Sequence, residues 1–153
     1  MARAHRCIWG GKGWEAVAGP RFLFVCSHAG KTIGLPVKVN SDAQVKYDHV
    51  GWRLLGANNR ELGRSPGWYP DVESCREAVC ALKREIGVVT SAITATARPG
   101  GAWSWRLAVS GTPVAIAGRP YHRQRECAYN LNHFVAAVPN AVIADEPCVT
   151  ARR

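Results

Sequence analysis

Apolar and polar positions along this chain follow two rhythms, one of period two and one of period three to four, and the pair occurs twice. The first appears at Trp52-Arg53-Leu54 and again at Trp103-Ser104-Trp105-Arg106-Leu107, where apolar and polar residues alternate. Such alternation marks a strand with one buried face. The second appears as Val72, Cys75, Val79, Leu82 and Ile86, and again as Cys127, Leu131, Phe134 and Val138. These stripes have helical spacing. Asp71 is a good N-cap and Gly87 a good C′ residue, so the first helix is expected between them, while Pro139 stops the second.

The two sets correspond position by position. Trp52-Arg53-Leu54 returns as Trp105-Arg106-Leu107 at an offset of 53. Beyond it, Asn58-Asn59 answers to Ser110-Gly111, Leu62 to Val114, Cys75 to Cys127, Leu82 to Phe134 and Ile86 to Val138, all at an offset of 52. A one-residue change between strand and turn is what a β-bulge in one copy would produce. Ile93-Thr94-Ala95-Thr96 and Pro113-Val114-Ala115-Ile116 are β-prone and flanked by turn residues at Pro99-Gly100-Gly101, Ser110-Gly111 and Gly118. Val88-Val89 and Ala141-Val142-Ile143 are expected to add a strand after each helix, the first running from Val88 to Thr96 and serving both copies. The expected fold is α+β, with two β-β-β-α-β repeats forming one antiparallel sheet and two helices packed on one face. Residues 1–34 form a basic arm with a hairpin strand, 35–96 the first repeat, 97–145 the second and 146–153 a tail. The hairpin is expected over residues 22–39, turning at His28-Ala29-Gly30.

The order of a Trp-Arg-Leu strand, a polar turn, an aliphatic strand, an aromatic near Tyr69 or Tyr121 and then a helix resembles the YegP-like family of tandem-repeat domains. The resemblance covers residues 36–145. It departs from the family's usual Asn-Gly at both turns and in a second helix rich in Asn and His. What it implies is an antiparallel sheet with helices on it. It implies no reaction, because that family has no settled biochemical activity.

Composition narrows the class. With 47% apolar and 20% charged residues and six Trp, the chain lies far from disordered compositions. Its apolar runs, such as residues 22–25, are much shorter than the ~20 residues a membrane-spanning helix needs. The start, Met1-Ala2-Arg3-Ala4-His5-Arg6, has no apolar stretch of a secretory signal behind it, so a cytoplasmic location is expected. With that comes the expectation that the six cysteines are reduced and act as small hydrophobes.

The formal charge of +9 is spread unevenly: residues 1–34 carry +4, residues 35–96 carry +1, residues 97–144 carry +4 and the tail is neutral. Charge of this size favours an anionic partner.

Familiar catalytic and cofactor motifs fail on context. Gly30-Lys31-Thr32 follows an apolar run as a phosphate loop would, but Val25 stands where the first glycine is needed and Gly34 and Pro36 forbid the helix. Gly11-Lys12-Gly13-Trp14-Glu15-Ala16 matches a dinucleotide fingerprint in letters, without the strand and long helix that the fingerprint requires. Cys75 and Cys80 lie about 140° apart around a helix and share an ion poorly. Cys7, Cys26, His5 and His28 are the best metal cluster the sequence offers, and they lack knuckle spacing. No nucleophile elbow, paired carboxylates or ordered Ser, His and Asp set is present, so no catalytic residue, metal or cofactor is expected.

Arginine geometry remains. Neighbours in a strand point to opposite faces, so if helices cover Trp52, Leu54, Trp105 and Leu107, then Arg53 and Arg106 stand on the open face. Arginines there either solvate an open sheet or hold phosphates. The leading expectation is a non-enzymatic binding module for nucleic acid or another polyanion. Its binding residues are Arg53 and Arg106, Arg3, Arg6 and Lys12 in the arm, and Arg123 and Arg125 in the second repeat. The rival is a protein-interaction or self-assembly module, a homodimer included, anchored by exposed Trp9, Trp14 or Trp68, with the charge serving solubility.

Overall fold

The computed structural model describes residues 19–27, 49–97, 100–144 and 149–150. Two hairpin-based units make the sheet. In the first, β1 (Arg21–Ser27) pairs antiparallel with β2 (His49–Leu55), which pairs with β3 (Glu61–Arg64), and α1 (Val72–Glu85) follows. In the second, β4 (Thr90–Thr96) pairs with β5 (Ala102–Val109), β5 with β6 (Thr112–Ala117), and α2 (Gln124–Ala137) follows. The units join through β3 and β6, where Gly63 faces Ala117 and Arg64 faces Ile116. A 3-10 turn (Val138–Asn140) leads to β7 (Val142–Ile143), and β8 (Val149–Thr150) comes last. The order is β4-β5-β6-β3-β2-β1-β7, with β8 also on β1.

The fold is α+β, and its sheet is mixed: β7 and β8 both lie parallel to β1. That corrects the fully antiparallel sheet expected from the sequence. The strand paired along the whole of β2 is β1, and the return strand of the expected 22–39 hairpin lies outside the described residues. The strand expected from Val88 to Thr96 is present without its first two residues. β4 begins at Thr90, and Val88 is 70% exposed.

The change of offset between the two halves has a different cause from the one expected. Register shifts occur in both units, between Leu54 and Leu55 and between Leu107 and Ala108, so Leu62 and Val114 are extra residues at matching places. The missing residue comes from the turns. Gly56 N–H donates to Arg60 O at 2.9 Å around a three-residue loop in which Asn59 has φ 61°. Val109 and Thr112 instead flank the two-residue turn Ser110-Gly111, with φ of 49° and 82°. Two consecutive positive φ values belong to the tight hairpin turn whose twist matches the strands, and the three-residue form with one left-handed residue is the next commonest.

Both helices cover one face of the sheet. Cys75, Val79 and Leu82 of α1 and Cys127, Leu131, Phe134 and Ala137 of α2 are buried. Phe134 links the two units: its ring stacks 6.4 Å from Trp52 and lies 4.8 Å from Trp105. Trp52 in turn meets Phe22 edge-on at 5.4 Å. Gly63 makes room for this cluster, because a Cβ there would lie 2.7 Å from the Phe134 ring and 2.8 Å from Trp105. Trp52, Trp105, Leu82 and Phe134 thus share one core, as the stripes require.

Cys26 is disulfide-bonded. This corrects the expectation of reduced cysteines and removes Cys26 as a thiolate ligand for a metal. Its partner, together with His5, Cys7 and His28, lies outside the described residues. Cys75, Cys80 and Cys127 carry reduced thiols. Burial pushes Cys75 up to about 12, with Arg76 opposing and Asp71 adding to the rise, and burial also raises Cys127. Neutral thiols of this kind are packing groups, not nucleophiles.

Candidate functional site

Strand parity places Arg53 and Arg106 on the face opposite the helices, and the ladder places them in one row. Ala92 faces Arg106, Arg106 faces Ile116, Ile116 faces Arg64, Arg64 faces Arg53 and Arg53 faces Leu23. Directly paired residues project to the same side, so six strands carry one line of side chains containing three arginines. With inter-strand spacings of ~4.8 Å, Arg53 and Arg106 stand roughly 14 Å apart.

One carboxylate lies inside this line. Glu61 Oε1 accepts a hydrogen bond from Arg64 Nε at 2.6 Å, and its Oε2 is 3.8 Å from Arg53 Nη1. Arg64 Nη2 also donates to Gly118 O at 2.8 Å, crossing from β3 to the end of β6. The Arg64 guanidinium is therefore held in place, and three cations against one anion leave the row positive. Arg106 is exposed.

Beside the row lies a shallow depression of about 220 Å³, lined by Val25, Gly51, Arg53, Arg64, Ser65 and Trp68 among others. Trp68 is 55% exposed. The segment that carries it is pinned to β2 at both ends. Ser65 N–H donates to Trp52 O at 3.0 Å, while Ser65 Oγ accepts from Trp52 N–H at 3.2 Å. Tyr69 and Val50 exchange backbone hydrogen bonds of 2.7 and 2.9 Å.

The other sequence-predicted residues are not gathered here. Arg123 and Arg125 lie at the start of α2, in the helix layer on the far side of the sheet; Arg123 reaches Glu126 at 4.0 Å. Arg3, Arg6, Lys12, Trp9 and Trp14 lie outside the described residues. Arg64 escapes a reading of the sequence, because β3 has four residues and the extra residue at Leu62 breaks its alternation. Among the described residues, no group of three or more His, Cys, Asp or Glu is placed to hold a metal ion. No helix among them is long and apolar enough to cross a membrane.

No protein-family model matches the chain, and neither does any curated protein. A solved structure is similar: the solution NMR structure of YegP from E. coli, described as a protein of unknown function. The two agree with a TM-score of 0.56 over 90% of this chain and 98% of that one, at 11% sequence identity. The fold is YegP-like. Likeness at this identity extends to the fold alone, and the YegP-like frame carries with it no activity, ligand or partner.

Proposed function

We propose that this YegP-like chain is a non-enzymatic binding module for an anionic partner, nucleic acid foremost, which docks on the open face of the sheet. The observation that carries the proposal is the row of Arg106, Arg64 and Arg53 across the face that the helices leave uncovered. Planar, fixed guanidinium groups match the paired oxygens of phosphates as they do those of carboxylates. A net charge of +9 supplies the long-range attraction that brings such a partner in. Within this reading β1-β2-β3-α1 and β4-β5-β6-α2 are two copies of one unit, which makes Arg53 and Arg106 equivalent positions. Arg3, Arg6 and Lys12 are proposed to extend the contact, and Arg123 and Arg125 are left out of it. The cytoplasm is the proposed location, against which the Cys26 disulfide weighs.

The rival reading is a protein-interaction surface anchored by Trp68, favoured by that residue's exposure. Salt separates the two. Phosphate binding releases counterions with a log–log slope of about −0.9 per contact on duplex and −0.7 on single strands. Fluorescence anisotropy of a labelled oligonucleotide, titrated at several salt concentrations, should give a steep slope. Replacing Arg53 and Arg106 by Gln together should flatten it by about 1.4 on single strands, two contacts' worth. Failure to bind more tightly than about 10⁻⁴ M, the loose end of non-specific DNA affinity, would overturn the nucleic-acid reading.

A further inference from the structure

We infer that the depression beside Trp68 is a stacking seat for one unpaired base, so that the partner is single-stranded nucleic acid; this rests on the nucleic-acid reading above and specifies its substrate. The seat exists because β2 has no side chain at Gly51. A Cβ there would lie 3.0 Å from Ser65 Oγ and 3.2 and 3.3 Å from Cζ3 and Cε3 of Trp68. Gly51 falls between Val50 and Trp52, which are in the core, so the missing side chain belongs to the open face. The indole takes that place. It rests one side on the strand and leaves more than half of its surface to solvent.

The surroundings suit a base better than a whole small molecule. The volume of about 220 Å³ falls below the usual range for pockets that enclose a drug-sized ligand. A depression of this size, floored by a half-exposed indole, admits a single ring from a longer strand. Arg53 and Arg64 form the polar wall of the same depression, where one guanidinium meets a phosphate and another lies against a ring. From there the row runs on to Arg106, giving the backbone of the strand a second point of attachment. An aromatic platform beside a basic track is the physical basis of single-strand binding, since every base has a π-face. Duplex does not fit this arrangement. Its base faces are stacked away, and its major groove admits a helix or a two-stranded ribbon, not the broad face of a sheet.

The test uses the full chain, labelled oligothymidylate and a labelled duplex in the anisotropy assay. The single strand should bind more tightly than the duplex. Trp68→Ala should weaken single-strand binding by about tenfold, leave the salt slope unchanged and leave duplex binding unchanged. Trp68→Phe should retain most of the affinity, which shows that a ring and not the fold is being read. Equal binding by Trp68→Ala and wild type, or a preference for duplex, would overturn this inference while leaving the arginine row intact as a polyanion site. Loss of all binding in the Arg53 and Arg106 variant, with Trp68→Ala unaffected, would overturn it in the same way. If neither probe binds wild type, the nucleic-acid reading and this one fall together.

Discussion

Trp52 and Trp105 occupy corresponding places in β2 and β5, yet their indole N–H groups have different fates. Trp105 Nε1 donates to Asn130 Oδ1 at 2.7 Å. Trp52 Nε1 is buried without a partner in hydrogen-bond geometry, the Tyr69 hydroxyl being the group it approaches. At the α1 position corresponding to Asn130 the chain has Ala78. Leaving a buried donor unmade costs about 1–3 kcal/mol. Asn130→Ala should therefore destabilise the fold by about that amount, less about 0.6 kcal/mol from alanine's better helix propensity, as read from urea denaturation. Cys75 gives a second residue-scale expectation. Its thiol is raised from an ordinary 9.0 to about 12 by burial, so the unfolded chain ionises first as the pH climbs. Between those values the unfolded state binds fewer protons, and stability falls with rising pH; below pH 9 the contribution is fully present. The alkaline decline in melting temperature should be shallower in Cys75→Ala, measured against its own neutral-pH value. The two tryptophans and the cysteines were legible as core positions because one residue type in a strand or helix stripe is enough to place a side chain. The indole partner was not, since it depends on how the helix is rotated over the sheet.

Helix ends show how far local rules reach. Asp71 caps α1, its Oδ1 accepting from Ser74 N–H at 2.7 Å, and Ser74 holds its carboxyl below the ordinary value. α2 has Arg123 in the same position, with no side-chain cap bond. An N-cap acceptor is worth about 1 kcal/mol, and an anion there also favours the helix dipole. Arg123→Asp should raise stability by about 1 kcal/mol in chemical denaturation. On the proposed geometry it should leave the affinity of the open face nearly unchanged, since α2 lies across the sheet from the arginine row. The helices were readable because each shows at least three turns of apolar stripe and a stop signal. β7 was legible as a strand at residues 141–143 and β3 as the counterpart of β6, but with two and four residues their bounds and direction are fixed by their neighbours in the sheet. The same reason hid Arg64 and made β7, which runs parallel to β1, look antiparallel.

At the scale of the molecule, the aromatic cluster ties the two hairpin units into one cooperative body. Phe134→Ala removes the ring between Trp52 and Trp105 and should cost about 3–5 kcal/mol, with a single unfolding transition retained. Two separate transitions would mean that the β3–β6 seam does not couple the units. The parallel pairing of β7 with β1 has a different consequence, for the order in which the chain is made. Val142 N–H donates to Pro20 O at 3.1 Å and Ala144 N–H to Phe22 O at 3.0 Å, and the Lys83 ammonium donates to Ala141 O. On a ribosome the strand at Arg21–Ser27 emerges early, whereas the segment that closes its outer edge comes roughly ten seconds later at ordinary elongation rates. Through that interval Phe22, Phe24 and Cys26 belong to an unclosed edge, the kind that templates pairing between nascent chains. A chain ended after Asn140 makes the interval permanent. It should scatter light and sediment as species larger than the full chain forms, and a synthetic peptide of residues 141–153, added during refolding, should return it to the full chain's size. A truncated chain of unchanged size would show that β1 needs no guard while synthesis finishes.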